Sequence, residues 1–315
     1  MNSLLLYLRD GSLAEERGRQ AVEGRLKEIE GPYWLTLTSP TEDDLAWLGQ
    51  VWGFHPLTLE DCRIYNPRPK LEEYPGYLFL VVHEVSMGKE RVSARDIQVY
   101  FSKDYLITVE RTESDVLRKE RDHRGDLSRG TDFALYRLLN HLTEDYFNLL
   151  NSIDERIEGV EEEVMTTAGR SVLNHIFLLR QDLIAMLRLA APMRETLHQI
   201  ADRDYSFVSS EHQLYFRDVH SRLVYVHEMI ETQRDLTSGA LEAYLSSISN
   251  NLNEVMKRLT LITTIFMPIG FVAAVGGMNF EFLPFHSPLA MGVTFALIMI
   301  VPLTMLVWFK TKGWV

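Results

Sequence analysis

LTLITTIFMPIGFVAAVGGMN, running from Leu259 to Asn279, is too long and too apolar for a soluble domain, and it closes on a polar tripeptide. A second such run, LAMGVTFALIMIVPLTMLVWF, extends from Leu289 to Phe309. No Lys, Arg or Asp occurs between Thr260 and Phe309, and Glu281 is the sole Glu there. At about 1.5 Å per residue, each apolar run of roughly 17 to 21 residues crosses or nearly crosses the hydrocarbon of a bilayer. The competing reading is a buried helical hairpin in a soluble core, and uncharged runs of this length argue against it.

The positive charges set the orientation. Lys257 and Arg258 precede the first run, Lys310 and Lys312 follow the second, and the intervening FEFLPFHS segment has neither Lys nor Arg. Both chain ends are therefore expected in the cytoplasm, with the short loop outside. Phe282, Phe285, Trp308 and Trp314 suit headgroup depth.

Composition agrees once the chain is divided. Of 32 basic and 44 acidic residues, four and two lie after residue 250, which leaves 28 and 42 before it. Such an acidic surface repels nucleic acid and concentrates cations. No nucleic-acid partner is expected. A lone Cys62 excludes an intrachain disulfide, as suits the cytosol. The opening MNSLLLYLRD has no basic n-region and no long apolar core, so no cleaved signal is read there.

Upstream, strands and helices mix until about residue 125. Tyr33 to Thr38, Tyr77 to Val85, Asp96 to Phe101 and Tyr105 to Val109 read as strands, the last two joined across Ser102-Lys103-Asp104. Ser39-Pro40-Thr41-Glu42 reads as a helix start. No glycine spacing fits a phosphate-binding loop or dinucleotide fold, so no nucleotide is expected. HExxH, CxxC and Gly-x-Ser-x-Gly are also missing from the sequence, so an enzyme has no support. His83, inside a strand pattern, reads as a core or interface residue.

From Asp132 the pattern turns helical. Apolar residues at threes and fours from Phe133 to Val164 predict one long amphipathic helix. Glu158, Glu161, Glu162 and Glu163 on it read as a solvated face, with a metal cluster as the alternative. Ser171 to about Ile200 predicts a second helix, interrupted by Pro192 and antiparallel to the first. A third pattern begins near Glu211 and meets no proline until Pro268. Continuous to Val275, it predicts a helix of about 65 residues, on the order of 100 Å long. Such a length argues for self-association around a shared axis, whether as a pore or as a membrane-tethered coiled coil.

At the membrane end of that pattern, Asn253, Met256, Leu259, Thr263, Met267, Gly270 and Ala274 fall near one face. Small and polar residues on a membrane helix face other helices or a water path. Packing and pore both remain open on this observation. Helix-terminal carbonyls and an Asn amide oxygen near a symmetry axis would present the negative end of the macrodipole to a cation.

Gly277-Met278-Asn279 followed by Phe280-Glu281, set between two C-terminal spans and before the basic tail KTKGWV, resembles the CorA family of divalent-cation transporters. His55-Pro56-Leu57 with Glu60-Asp61, Arg68-Pro69-Lys70, Tyr215 to Val219, Tyr244 to Ser247 and Asn253 to Lys257 extend the likeness over nearly the whole chain. The resemblance implies a funnel-shaped homopentamer in a bacterial-type inner membrane. Each subunit would have an α/β cytoplasmic domain, a long stalk helix continuing as the pore-lining span, and an outer second span. The expected divisions are 1–130 for the α/β domain, 131–210 for the helical pair and 211–258 for the stalk. The first span is 259–279, the external loop 280–288, the second span 289–309 and the tail 310–315.

By the same resemblance, Gly277, Met278 and Asn279 would form the entrance, where Asn279 would hold a still-hydrated cation and Gly277 would let the backbone turn and approach closely. Mg²⁺ dehydrates reluctantly, so neutral oxygens reaching its water shell suit it. Met256, Leu259 and Met267 would be dewetting constrictions, and Asn253 a polar ring at the inner end. Mg²⁺ would be both cargo and regulator, with Co²⁺ and Ni²⁺ as further cargo and Asp218 in the regulatory site. The facing acid is replaced around Met87-Gly88, and Glu90 is the nearest carboxylate. Gly276 stands where the family commonly has an aromatic residue. A Zn²⁺ transporter of the same superfamily, perhaps proton-coupled, is the alternative cargo reading, with His286 in the loop as its ligand; Glu281 is the loop's remaining cation-attracting charge. A membrane-anchored Mg²⁺ sensor without transport is the alternative of another class.

Overall fold

The computed structural model describes residues 2–9, 12–64, 68–88, 91–122, 126–166, 169–278 and 287–314. They form two compact units divided between Leu241 and Glu242. The first holds a seven-stranded sheet, β1 (Asn2–Arg9), β2 (Ser12–Arg17), β3 (Tyr33–Thr38), β4 (Lys70–Tyr74), β5 (Tyr77–Met87), β6 (Val92–Phe101) and β7 (Tyr105–Glu110). Their spatial order is β2-β1-β3-β7-β6-β5-β4. All neighbours are antiparallel except β3 and β7, which run parallel. That pairing requires a crossover, supplied by everything from α2 (Glu42–Trp52) and α3 (Pro56–Asp61) to the β4–β6 meander.

The helix start at Thr41 forms a capping box: its hydroxyl accepts from the Asp44 N–H, and the Asp44 carboxylate accepts from the Thr41 N–H. This fixes α2 against one sheet face, where Leu45, Trp47, Leu48 and Phe54 meet Leu5, Leu35, Tyr77, Phe79 and Tyr100. The other face is covered by α5 (Thr131–Thr166), with Leu135, Leu138, Leu139 and Leu142 fully buried. Residues of β5 from Tyr77 to Val85 are buried on both sides. Its sequence therefore reads as a continuous apolar run and not as an alternation.

α6 (Arg170–Asp202) runs antiparallel to α5, as the ion pairs Arg156–Asp182 and Glu163–His175 require. Pro192 does not interrupt it. The missing backbone donor weakens one helical turn. The fully buried Ala190, Met193 and Leu197 around it hold the helix together through packing. α7 (Ser210–Gly276) is continuous over 67 residues, on the order of 100 Å. Its first part lies parallel to α5, joined by Arg222 to Asn140 and by Gln233 to the Leu150 carbonyl and Asp154. The remaining helices are α1 (Arg19–Leu26), α4 (Asp115–Asp122) and α8 (Pro288–Thr311).

Candidate ion path along the long helix

Along α7, Phe216, Val219, Leu223, Val226 and Ile230 recur at threes and fours and are buried against α5 and α6. The apolar spacing continues beyond Tyr244, but its burial does not. Leu245, Leu252, Val255, Met256 and Leu259 are all more than half exposed. None of the most apolar window of α7 is buried within the chain, and 6% of that of α8 is. These are not the helices of a soluble core. Their uncovered apolar surface requires lipid, other subunits or both.

Within the second unit, α8 runs antiparallel to the end of α7. Gly276 of α7 meets Thr294 of α8, and Lys257, five turns earlier, donates to the Gly313 carbonyl at 3.1 Å and lies over the Trp314 ring. The less exposed residues Leu261, Thr264, Ile265, Pro268, Val272 and Val275 mark the face turned to α8. Asn253, Met256, Leu259, Thr263, Met267, Gly270 and Ala274 are all exposed. At about 100° per residue, Met256, Leu259, Thr263, Met267, Gly270 and Ala274 lie on the side of α7 roughly opposite that face, whereas Asn253, one turn before Lys257, lies on the flank nearer α8. The stripe therefore is not the seam between the two spans.

Polar groups on this segment are satisfied locally. The Thr260 and Thr263 hydroxyls donate to the carbonyls of Met256 and Leu259, one turn back. The helix tightens at its end, where the Gly277 N–H is shared between the Ala273 and Ala274 carbonyls and the Met278 N–H donates to Val275. Gly277 has no left-handed φ, and a Cβ there would make ordinary contacts. Close approach belongs instead to Gly276, where an added Cβ would lie 3.2 Å from Thr294 Cγ2. Asn279, Glu281 and His286 lie outside the described residues, as does Glu90.

Asp218 is exposed on α7, between buried Phe216 and Val219. Burial, then the nearby Asp218 charge, hold the Tyr136 hydroxyl above its usual range. Glu158, Glu161 and Glu162 are solvent-exposed, and Glu163 pairs with His175. Among the described residues no three His, Cys, Asp or Glu side chains are arranged to hold a metal ion. Sequence reasoning missed two buried acid sites that position the helices. Asp182 accepts from Arg156 and from the Val92 N–H, and Glu84 accepts from the N–H groups of Asp115 and Val116 at the start of α4. Neither lies in a motif; each becomes recognisable when β5, β6, α4 and α6 are brought together.

The CorA-like Mg²⁺ transporter family model matches residues 30–311. This chain belongs to that family. A relative from Bacillus subtilis whose name is "Putative metal ion transporter YfjQ" is 32% identical over 92% of this chain and 93% of its own length. The cobalt/magnesium transport protein CorA of Thermotoga maritima is 33% identical over 90% of this chain and 83% of that one. The complete CorA magnesium transporter structure from Methanocaldococcus jannaschii superposes over all of this chain and 99% of its own, with a TM-score of 0.85 at 19% identity. The CorA architecture of α/β domain, long helix and two C-terminal apolar helices is thus shared along the whole chain, and the apolar end of α7 together with α8 fits the two membrane helices of this membrane-integral family.

Proposed function

We propose that this CorA-family chain is a Mg²⁺ channel of a bacterial-type inner membrane, with both termini cytoplasmic, formed by five copies around the exposed stripe of α7. The observation that carries this reading is the position of that stripe: Met256, Leu259, Thr263, Met267 and Gly270 are exposed and lie on the side of α7 away from α8. Copies assembled with α8 outermost would turn this face to a common axis.

In that arrangement the Gly277-Met278-Asn279 end supplies a ring of carboxamide and backbone oxygens at the outer mouth. Such a ring binds Mg²⁺ through its water shell, which the ion gives up reluctantly. Met256, Leu259 and Met267 then form rings too apolar to stay wet when narrow, and these close the path. Inward flow is driven by the membrane potential, worth about 2.3 kcal/mol per charge per 100 mV. Co²⁺ and Ni²⁺ are further cargo of similar size and charge. Cytosolic Mg²⁺ bridging Asp218 to an acid of the neighbouring subunit would oppose opening, since an interfacial carboxylate needs a counter-cation.

The test is uptake into proteoliposomes loaded with Mg²⁺ or Zn²⁺ indicator, with and without a potential or a proton gradient. Mg²⁺ entry that follows the potential and is lost in Asn279→Ala is the expected result. Zn²⁺ entry that needs the proton gradient, with little Mg²⁺ flux, would overturn it, as would a protein that carries no ion.

A further inference from the structure

His198 on α6 and His220 on α7 face one another across the antiparallel seam of these helices, with ring centroids 5.1 Å apart and planes inclined by 35°. The contact is in register: Gln213 and Arg217, on the preceding turns of α7, reach the Ala201 carbonyl on the following turn of α6. His198 is exposed and His220 half-buried, so the pair opens to solvent from a rigid floor. That floor is Leu197, Ile200, Phe216 and Val219, all fully buried. Glu195 and Asp202 add negative charge around His220, and Arg194 adds one positive charge.

We propose that His198 and His220 form a clamp for a borderline transition-metal cation, of the class of Zn²⁺, Ni²⁺ or Co²⁺, separate from the ion path. Two neutral imidazoles are the preferred donors of such ions, whereas Mg²⁺ takes oxygen ligands and retains its waters. The clamp supplies two protein ligands and not a finished cage, and water completes the coordination. A bound ion ties α6 to α7 and favours the folded state by ligand linkage.

The experiment uses the full-length protein in detergent, stripped of metal. Zn²⁺ alone is titrated against a chromophoric chelator, in the presence of excess Mg²⁺, for wild type, His198→Gln, His220→Gln and the α7 control His227→Gln. The expected result is a zinc site that excess Mg²⁺ does not displace. Each of the two clamp variants weakens it on the order of tenfold or more, a scale that even outer-shell partners of metal sites reach, and the control does not. Zn²⁺ should also raise the melting temperature of wild type more than that of either clamp variant. Equal zinc affinity in wild type and both clamp variants would overturn the assignment. So would loss in one variant alone, or displacement by Mg²⁺. Failure of Mg²⁺ uptake in the proteoliposome assay leaves these readouts untouched, so the two readings fail separately.

Discussion

Gly276 of α7 and Thr294 of α8 touch so closely that a Cβ on the glycine would sit 3.2 Å from the threonine Cγ2. A larger side chain must push the two spans apart at this end. Gly276→Leu is expected to weaken α7–α8 packing and lower the thermal midpoint of the full-length protein, with overpacking costing about 1–3 kcal/mol. Gly270→Ala, with nothing within 4 Å of the added Cβ among the described residues, tests the contrast. It should leave the isolated subunit's packing unchanged, and an effect on assembly or flux would come from the neighbouring copies.

Asp182 is 1% exposed, and it holds β6, α5 and α6 together through Arg91, Arg156 and the Val92 N–H. Asp182→Ala leaves two guanidinium groups and a backbone donor without their shared acceptor. Breaking a fully buried pair costs about 3–5 kcal/mol; because both arginines keep some contact with water, about 2–3 kcal/mol is expected here. Denaturant unfolding of the full-length protein would measure it, and a loss below the error of the method would sink this account.

Burial, then the Glu84 charge, raise Asp145 from 3.8 to about 6. Lys119 opposes the shift, while Glu144 and Asp115 reinforce it. A carboxyl whose folded value lies above its unfolded one contributes stability in full below about pH 4, and loses it as pH rises through about 6. Asp145→Asn should therefore raise the thermal midpoint at pH 7 and leave it unchanged near pH 4. A variant less stable at pH 7 would mean that the ionised carboxylate is doing something the asparagine cannot.

The long helix, the strands β3, β5, β6 and β7 and the two spans are legible in the sequence because each carries its own period or an uncharged run; β4, the short Lys70–Tyr74 strand with two adjacent glutamates, is not. β1 and β2 are not. Leu4, Leu5 and Leu6 are consecutive leucines in β1, which lies between β2 and β3, and such a run has neither the alternation of an edge nor the length of a helix. Pro192 misleads for the opposite reason: the local rule is sound, but the packing around Ala190 and Met193 outweighs it. In the candidate ion path, the stripe from Asn253 to Ala274 is visible as periodicity. Which way it faces is not, since that depends on where α8 lies, and Gly276 and Lys257 reveal this only when the helices are together.

The lone cysteine makes the direction of that stripe measurable. Cys62 is 3% exposed, with its Sγ beside the Tyr100 hydroxyl. Burial pushes its thiol up to about 12, so the thiolate that reacts with alkylating or thiosulfonate reagents is scarce at neutral pH. The native chain is thus a quiet background for introduced cysteines. Leu259→Cys and Met267→Cys place thiols on the stripe, and Leu303→Cys places one on the exposed surface of α8. In proteoliposomes conducting Mg²⁺, when the path is open and wet, a charged, membrane-impermeant thiosulfonate should modify the first two and block Mg²⁺ uptake. It should leave Leu303→Cys unmodified, because hydrocarbon neither ionises the thiol nor admits the reagent. Labelling of Leu303→Cys with both stripe positions protected would reverse the assignment, putting α8 at the axis and the stripe of α7 against lipid.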